Sequence, residues 1–144
     1  MGDIPKDTPD RAWYFNLHKS IGVTLAIFIL LRIVWRLSHR PPALEGLIPA
    51  WEVMASKISH WLLYLCMIAM PTTGMIMSSY SKYGVKLWGM KLIPGSDNEA
   101  SRDFWLGLHE FTAELFMVII AVHVLAALKH LMIEDSKVFQ RMTP

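Results

Sequence analysis

The chain has 144 residues, 53% of them hydrophobic and 18% charged, with a formal net charge of +2. That charge is too small to argue for nucleic-acid binding, and a single cysteine, Cys66, excludes an internal disulfide. The apolar residues are gathered into three long blocks instead of being spread with the periodicity of a soluble core, so the expected class is an all-α integral membrane helix bundle in one domain, 1–144.

The opening MGDIPKDTPDR is polar, acidic and proline-bearing, and lacks the apolar run of a signal peptide. The first span is predicted over 13–38. Nothing is charged from Ser20 to Leu31, and the helix is expected to stop before His39-Arg40-Pro41-Pro42, because paired prolines cannot continue it. After a short connection the second span is predicted over 56–79, with a start as early as Trp51. No Lys, Arg, Asp or Glu occurs from Ile58 to Ser81, and Pro71 and Gly74 suggest a kink. Residues 80–101, rich in Gly, Lys and aromatics, read as an ordered loop on the membrane surface. The third span is predicted over 104–132 and precedes a polar tail. Tryptophans 13, 35, 51, 61, 88 and 105 fall near span ends, as an aromatic belt would place them. Seven Lys and Arg lie on each side, so the positive-inside rule does not decide orientation. The cluster Arg32, Arg36 and Arg40 argues for a cytoplasmic location of that end.

All six histidines lie in or beside the spans. His109 and His123 are fourteen residues apart in one helix, a rotation within about 40° of a whole number of turns and a rise of about 21 Å. They share a face and could each ligate a metal centre near one membrane surface. Imidazole is an axial ligand of haem iron, so the pair points to a membrane electron carrier. With three spans alternating in direction, His18 lies on the same side as His109, and the two can clamp one haem. Gly22, one turn after His18, leaves room for a flat porphyrin edge. His60 lies on the opposite side with His123 and His130. Neutral imidazoles at His60 and His130 can hydrogen-bond a quinone oxygen and relay protons, or can be plain interfacial residues. Glu110 and Glu114 could orient His109 or be solvated residues of a helix start. His39 is given no role, and Cys66 reads as a small packing residue.

Several segments together resemble the prokaryotic cytochrome b(561) family, which includes superoxide:ubiquinone oxidoreductases. They are His18-Lys19-Ser20-Ile21-Gly22, Leu31-Arg32-Ile33-Val34-Trp35-Arg36, Ser59-His60-Trp61-Leu62-Leu63-Tyr64, Pro71-Thr72-Thr73-Gly74, His123-Val124-Leu125-Ala126-Ala127-Leu128-Lys129-His130 and Arg141-Met142-Thr143-Pro144. The resemblance implies a four-helix bundle in the bacterial inner membrane. It implies two bis-histidine b-type haems and electron flow from a periplasmic donor to ubiquinone near the cytoplasmic side. His18 and His109 resemble ligands of the periplasmic haem, and His123 resembles one ligand of the cytoplasmic haem. His60 and His130 resemble quinone-site residues. The family's first span, with the partner of the residue matching His123, has no counterpart here, and residues 1–20 resemble the loop that follows it. Met1 therefore reads as internal, and the second haem would need His60 or a partner chain. The expected function is one-electron transfer through haem from a donor such as superoxide to ubiquinone. The alternatives are a subunit relaying electrons from a partner dehydrogenase, or a truncated non-redox scaffold packed on other membrane proteins.

Overall fold

A computed structural model of the chain describes Thr8, residues 10–39 and residues 49–132. It contains three helices, α1 (Arg11–Ser38), α2 (Ala50–Ser79) and α3 (Glu99–Met132). Between α2 and α3 lies a two-stranded antiparallel hairpin, β1 (Val85–Leu87) and β2 (Met90–Ile93). The expected connection at 40–48 and the polar tail lie outside the described residues.

Each helix is long and apolar enough to cross a membrane. At about 1.5 Å per residue, their 28, 30 and 34 residues extend about 42, 45 and 51 Å, against a hydrocarbon core of about 30 Å. Large apolar side chains such as Phe28, Leu30, Val34 and Met117 are exposed along them, which suits lipid and would be a liability in water. The spans begin earlier than the apolar pattern suggests. At α2 the N–H groups of Glu52 and Val53 bond back to the Pro49 carbonyl, so Ala50 opens the helix. At α3 the Asn98 side chain accepts the Ser101 N–H at 3.0 Å, an N-cap that adds a polar turn before the apolar run. The helix α2 continues through Pro71. Pro71 removes the N–H that Met67 would receive, and the hydroxyls of Thr72 and Thr73 donate to the neighbouring carbonyls of Ile68 and Ala69 at 2.7 and 2.8 Å.

The expected surface loop is in part the hairpin. Trp88 and Gly89, with φ of 47° and 91°, form its two-residue turn, and positive φ at both positions is what a type I′ turn requires. Lys86 pairs with Lys91 and Leu87 with Met90. Val85 then pairs with Ile93, so Leu92 is the extra residue of a bulge. Val85, 2% exposed, seats β1 in the molecule, whereas all of β2 is exposed.

Three side chains fasten the hairpin to the helices. Lys19 Nζ on α1 and Ser78 Oγ on α2 both donate to the Gly84 carbonyl, at 3.1 and 2.6 Å. Ser20 Oγ accepts the Trp88 N–H at 2.9 Å while donating to the Asn16 carbonyl at 2.8 Å. Extensive packing joins α2 to α3, α1 to α2 and α1 to β1; α1 with α3 is not among these pairs. The first helix is therefore held at the hairpin end chiefly by the hairpin.

Substituting Ser20→Ala leaves the Trp88 N–H without its acceptor. A loss of about 1–2 kcal/mol in local stability is expected, read as at least fivefold faster hydrogen exchange at the Trp88 amide. At Gly84, where φ is +66°, a Cβ would meet the Ile93 carbonyl. Gly84→Ala should accordingly disrupt the hairpin more than Ser20→Ala does in the same exchange measurement.

Candidate functional site

From His109 onward, the α3 residues that are not fully exposed recur at helical spacing: His109, Thr112, Ala113, Phe116, Ile119, His123, Ala127 and His130. This stripe faces α2. Opposite it, α2 presents Glu52, Ser59, Cys66 and Thr73, each seven residues from the next; Glu52, Cys66 and Thr73 are buried. The helices are antiparallel, so Thr73 meets His109, Ser59 meets His123 and Glu52 meets His130. A seven-residue repeat on both helices is the spacing of a near-parallel, left-handed packing seam, and small side chains at Ser59, Cys66 and Thr73 allow close approach.

At the hairpin end, His18 on α1 and His109 on α3 face each other with ring centroids 6.2 Å apart and planes at 82°. The Thr73 Oγ1 lies 3.0 Å from His109 Nδ1. The Thr73 hydroxyl proton goes to the Ala69 and Met70 carbonyls, at 2.8 and 3.1 Å. With its one proton used, the hydroxyl can only accept from the imidazole, and the Met70 backbone carbonyl is a second acceptor for the same ring, so Nδ1 carries the hydrogen and the Nε2 lone pair is left to act as a ligand. Gly74 lies against the same ring, where an added Cβ would stand 3.1 Å from Cε1. Glu110 and Glu114 are exposed, and Thr73 occupies the orienting position considered for them.

At the opposite end, His123 meets His60, with centroids 5.2 Å apart and planes at 61°, and Ser59 Oγ stands 3.0 Å from His123 Nδ1. Two turns outward, Glu52 accepts from Lys129 Nζ at 2.9 Å through Oε1, and its Oε2 faces His130 Nε2 at 3.5 Å. That Oε2 is buried and has no hydrogen-bond partner among the described residues. Arg32 and Arg36 of α1 bring positive charge towards His60. His39 is stacked on Trp35 at 3.8 Å with Nδ1 3.2 Å from the Trp35 carbonyl, and Cys66 is buried as a packing residue. Thr73, Ser59 and Glu52 were absent from the sequence-based site. The signal available for them was their shared seven-residue spacing with the α3 histidines.

Along its whole length, residues 1–144, the chain matches the family described as Prokaryotic cytochrome b561. It belongs to that family. "Cytochrome b561 homolog 2" of Escherichia coli (strain K12) is 31% identical over 138 residues, covering 90% of this chain and 72% of that protein. "Cytochrome b561 homolog 1" of the same organism is 25% identical over 144 residues, covering 99% and 82%. The "Probable superoxide oxidase CybB" of Yersinia pestis is 25% identical over 141 residues, covering 93% and 77%. Membership in this family of membrane cytochromes implies b-type haem and electron transport.

The residues at the hairpin end fit that group. Two metal–imidazole bonds of about 2 Å, with the ring radii added, place two axial rings about 6 Å apart, which matches the His18–His109 separation of 6.2 Å. These two residues come from helices that do not pack closely on each other, and a Cβ added at Gly22 would meet nothing within 4 Å. His60 and His123 are closer, at 5.2 Å, and come from the two most extensively packed helices, a poorer fit for a flat macrocycle between them.

Glu52→Ala should lower stability by about 1–2 kcal/mol, less than the loss for a fully enclosed ion pair because the Lys129 side chain is 43% exposed. Thermal unfolding in detergent measures this, and a melting temperature unchanged from the parent would contradict the pairing.

Proposed function

We propose that this cytochrome b561 family protein is an oxidoreductase that passes electrons through haem from a donor at the hairpin end to ubiquinone at the opposite end. The observation that carries the reading is the His18–His109 pair, facing each other from two helices with ring centroids 6.2 Å apart, and with Thr73 accepting from His109 Nδ1. Haem iron, when bound, supplies a one-electron couple. His18 and His109 would hold it, Gly22 and Gly74 leave it and its ligand space, and Thr73 orients the ligating ring. His123 is the candidate ligand for a second haem.

The chemistry of the donor follows from charge. Lys19, next to His18, lies close enough to Lys86 to repel it, and Lys86 stands directly across the hairpin from Lys91. Lys19 also fastens the hairpin through the Gly84 carbonyl, but like charges directly opposite on paired strands are destabilising, so strand pairing does not account for Lys86 facing Lys91. A cationic entrance raises the encounter rate of a small anion, and superoxide fits it. The name of the Yersinia pestis relative, a probable superoxide oxidase, points the same way.

At the other end, reduction of a quinone takes up two electrons and two protons. His60, beside His123, and His130, beside Glu52, would hydrogen-bond a quinone oxygen, and Glu52 would hand protons to His130. Arg32 and Arg36 bring positive charge towards His60, which favours the negative charge that builds on a partly reduced quinone.

Purified protein should show a b-type α band on dithionite reduction, and its absence would refute the reading. His109→Ala and His18→Ala should each abolish the bis-histidine spectrum of the hairpin-end haem, with no such loss in His39→Ala. Superoxide should reduce the haem and yield quinol, at a rate that falls as ionic strength rises. Protein with an intact b-type spectrum that superoxide does not reduce would instead be a subunit relaying electrons from a partner dehydrogenase.

A further inference from the structure

His109, His123 and His130, fourteen and seven residues apart on one helix, have the same side chain, yet each meets a different residue of α2. The contrast between two of these partners has a chemical consequence. Thr73 is 5% exposed, and its hydroxyl proton is committed to the Ala69 and Met70 carbonyls. It can only accept from His109. Among the described residues, no backbone carbonyl takes the Ser59 hydroxyl proton, so Ser59 can either donate to or accept from His123 Nδ1. One imidazole is therefore held in a single tautomer and the other is free to use both.

We propose that α2 is a positioning helix for the histidines of α3, with Thr73 locking His109 as an Nε2 ligand and Ser59 leaving the tautomer of His123 open. Both are positioning residues acting through an imidazole. The inference rests on the haem reading of the His18–His109 site and adds to it which protein group sets the ligand's electronic character. An imidazole whose Nδ1–H is given to an acceptor is a more basic ligand, and it favours the oxidised metal. The rigidity of the arrangement adds to the effect. Thr73 is pinned by two carbonyls, and Gly74 in the next position abuts the ring, so His109 is fixed both in direction and in tautomer.

The test compares Thr73→Val, which keeps the shape and removes the hydroxyl, with Thr73→Ser, which keeps the hydroxyl, in the full haem-loaded chain. Potentiometric titration should show the hairpin-end haem of Thr73→Val easier to reduce by about tenfold in its one-electron equilibrium, about 59 mV. Thr73→Ser and Ser59→Ala should stay near the parent at that haem. A Thr73→Val potential equal to the parent, or a Thr73→Ser potential displaced as far as Thr73→Val, overturns the proposal. If Thr73→Val does not accumulate, nuclear magnetic resonance of the reduced parent decides. A slowly exchanging Nδ1 proton on His109 is expected, and a freely exchanging one overturns the proposal. A parent chain with no b-type spectrum defeats the haem reading instead. Histidine nitrogen shifts of that same protein then test the pairing itself, with one tautomer expected at His109 and both at His123.

Discussion

The antiparallel register of α2 against α3 is the constraint on which the molecule depends. It sets Glu52, Ser59 and Thr73 opposite His130, His123 and His109, with the polar contacts at 3.5, 3.0 and 3.0 Å. A slip of one residue would turn each seam residue about 100° away from its partner and break all three contacts together. In lipid, apolar surface gives little drive for helices to associate, so packing and interhelical hydrogen bonds determine the register. The same bonds that hold α2 to α3 thus direct the imidazoles. Structure and site share one set of interactions.

The position of α1 has a different origin. Its hold on the hairpin end comes through Lys19 and Ser20, which grip the Gly84 carbonyl and the Trp88 amide. Because α1 leans on the hairpin and α2 and not extensively on α3, His18 can face His109 across a separation that close helix packing would remove. The hairpin is thereby part of the site although none of its residues is a ligand. Its turn places Trp88 at a positive φ, which costs a bulky residue about 1–2 kcal/mol, and the Ser20 hydrogen bond to the same residue's amide offsets part of that cost.

What the sequence made legible follows from which signals were periodic. Three spans were evident from uninterrupted apolar runs, and the pairing of His18 with His109 followed from alternating direction alone. Family membership confirms the class that those runs and histidines suggested. The hairpin was missed because its turn is Trp-Gly, whereas the usual sequence signals for a tight turn are Asn-Gly and Asp-Gly. The mirrored pattern of an apolar residue, a lysine and an apolar residue on either side of Trp88-Gly89 was the remaining clue. The α2 seam escaped for a subtler reason. Ser59, Cys66 and Thr73 are small residues in an apolar helix and have no individual signal, and only superposing their spacing on that of the α3 histidines reveals them. The α3 helix starts ahead of its apolar run because the Asn98 side chain caps a polar first turn, and the Pro49 carbonyl sets the start of α2 at Ala50, one residue before Trp51.

The two ends of the bundle differ in how charge is managed, and the difference bears on direction of flow. At the α2 start, the cationic Lys129 is answered by the buried carboxylate of Glu52, and the same carboxylate faces His130. The Lys129 charge is thus compensated locally, beside an imidazole, while Arg32 and Arg36 bring positive charge towards His60. At the hairpin end, Lys19 adjoins His18 and feels the charge of Lys86, which pairs across the hairpin with Lys91, while Arg102 is paired with Asp103. The lysine cluster gives up stability on the strand pair to keep a positive field near one imidazole, an arrangement that draws an anion without needing to bind it tightly. An end that attracts a small anion suits the entry of an electron that needs no proton. An end that couples imidazoles to a carboxylate suits an acceptor that takes up protons as it is reduced.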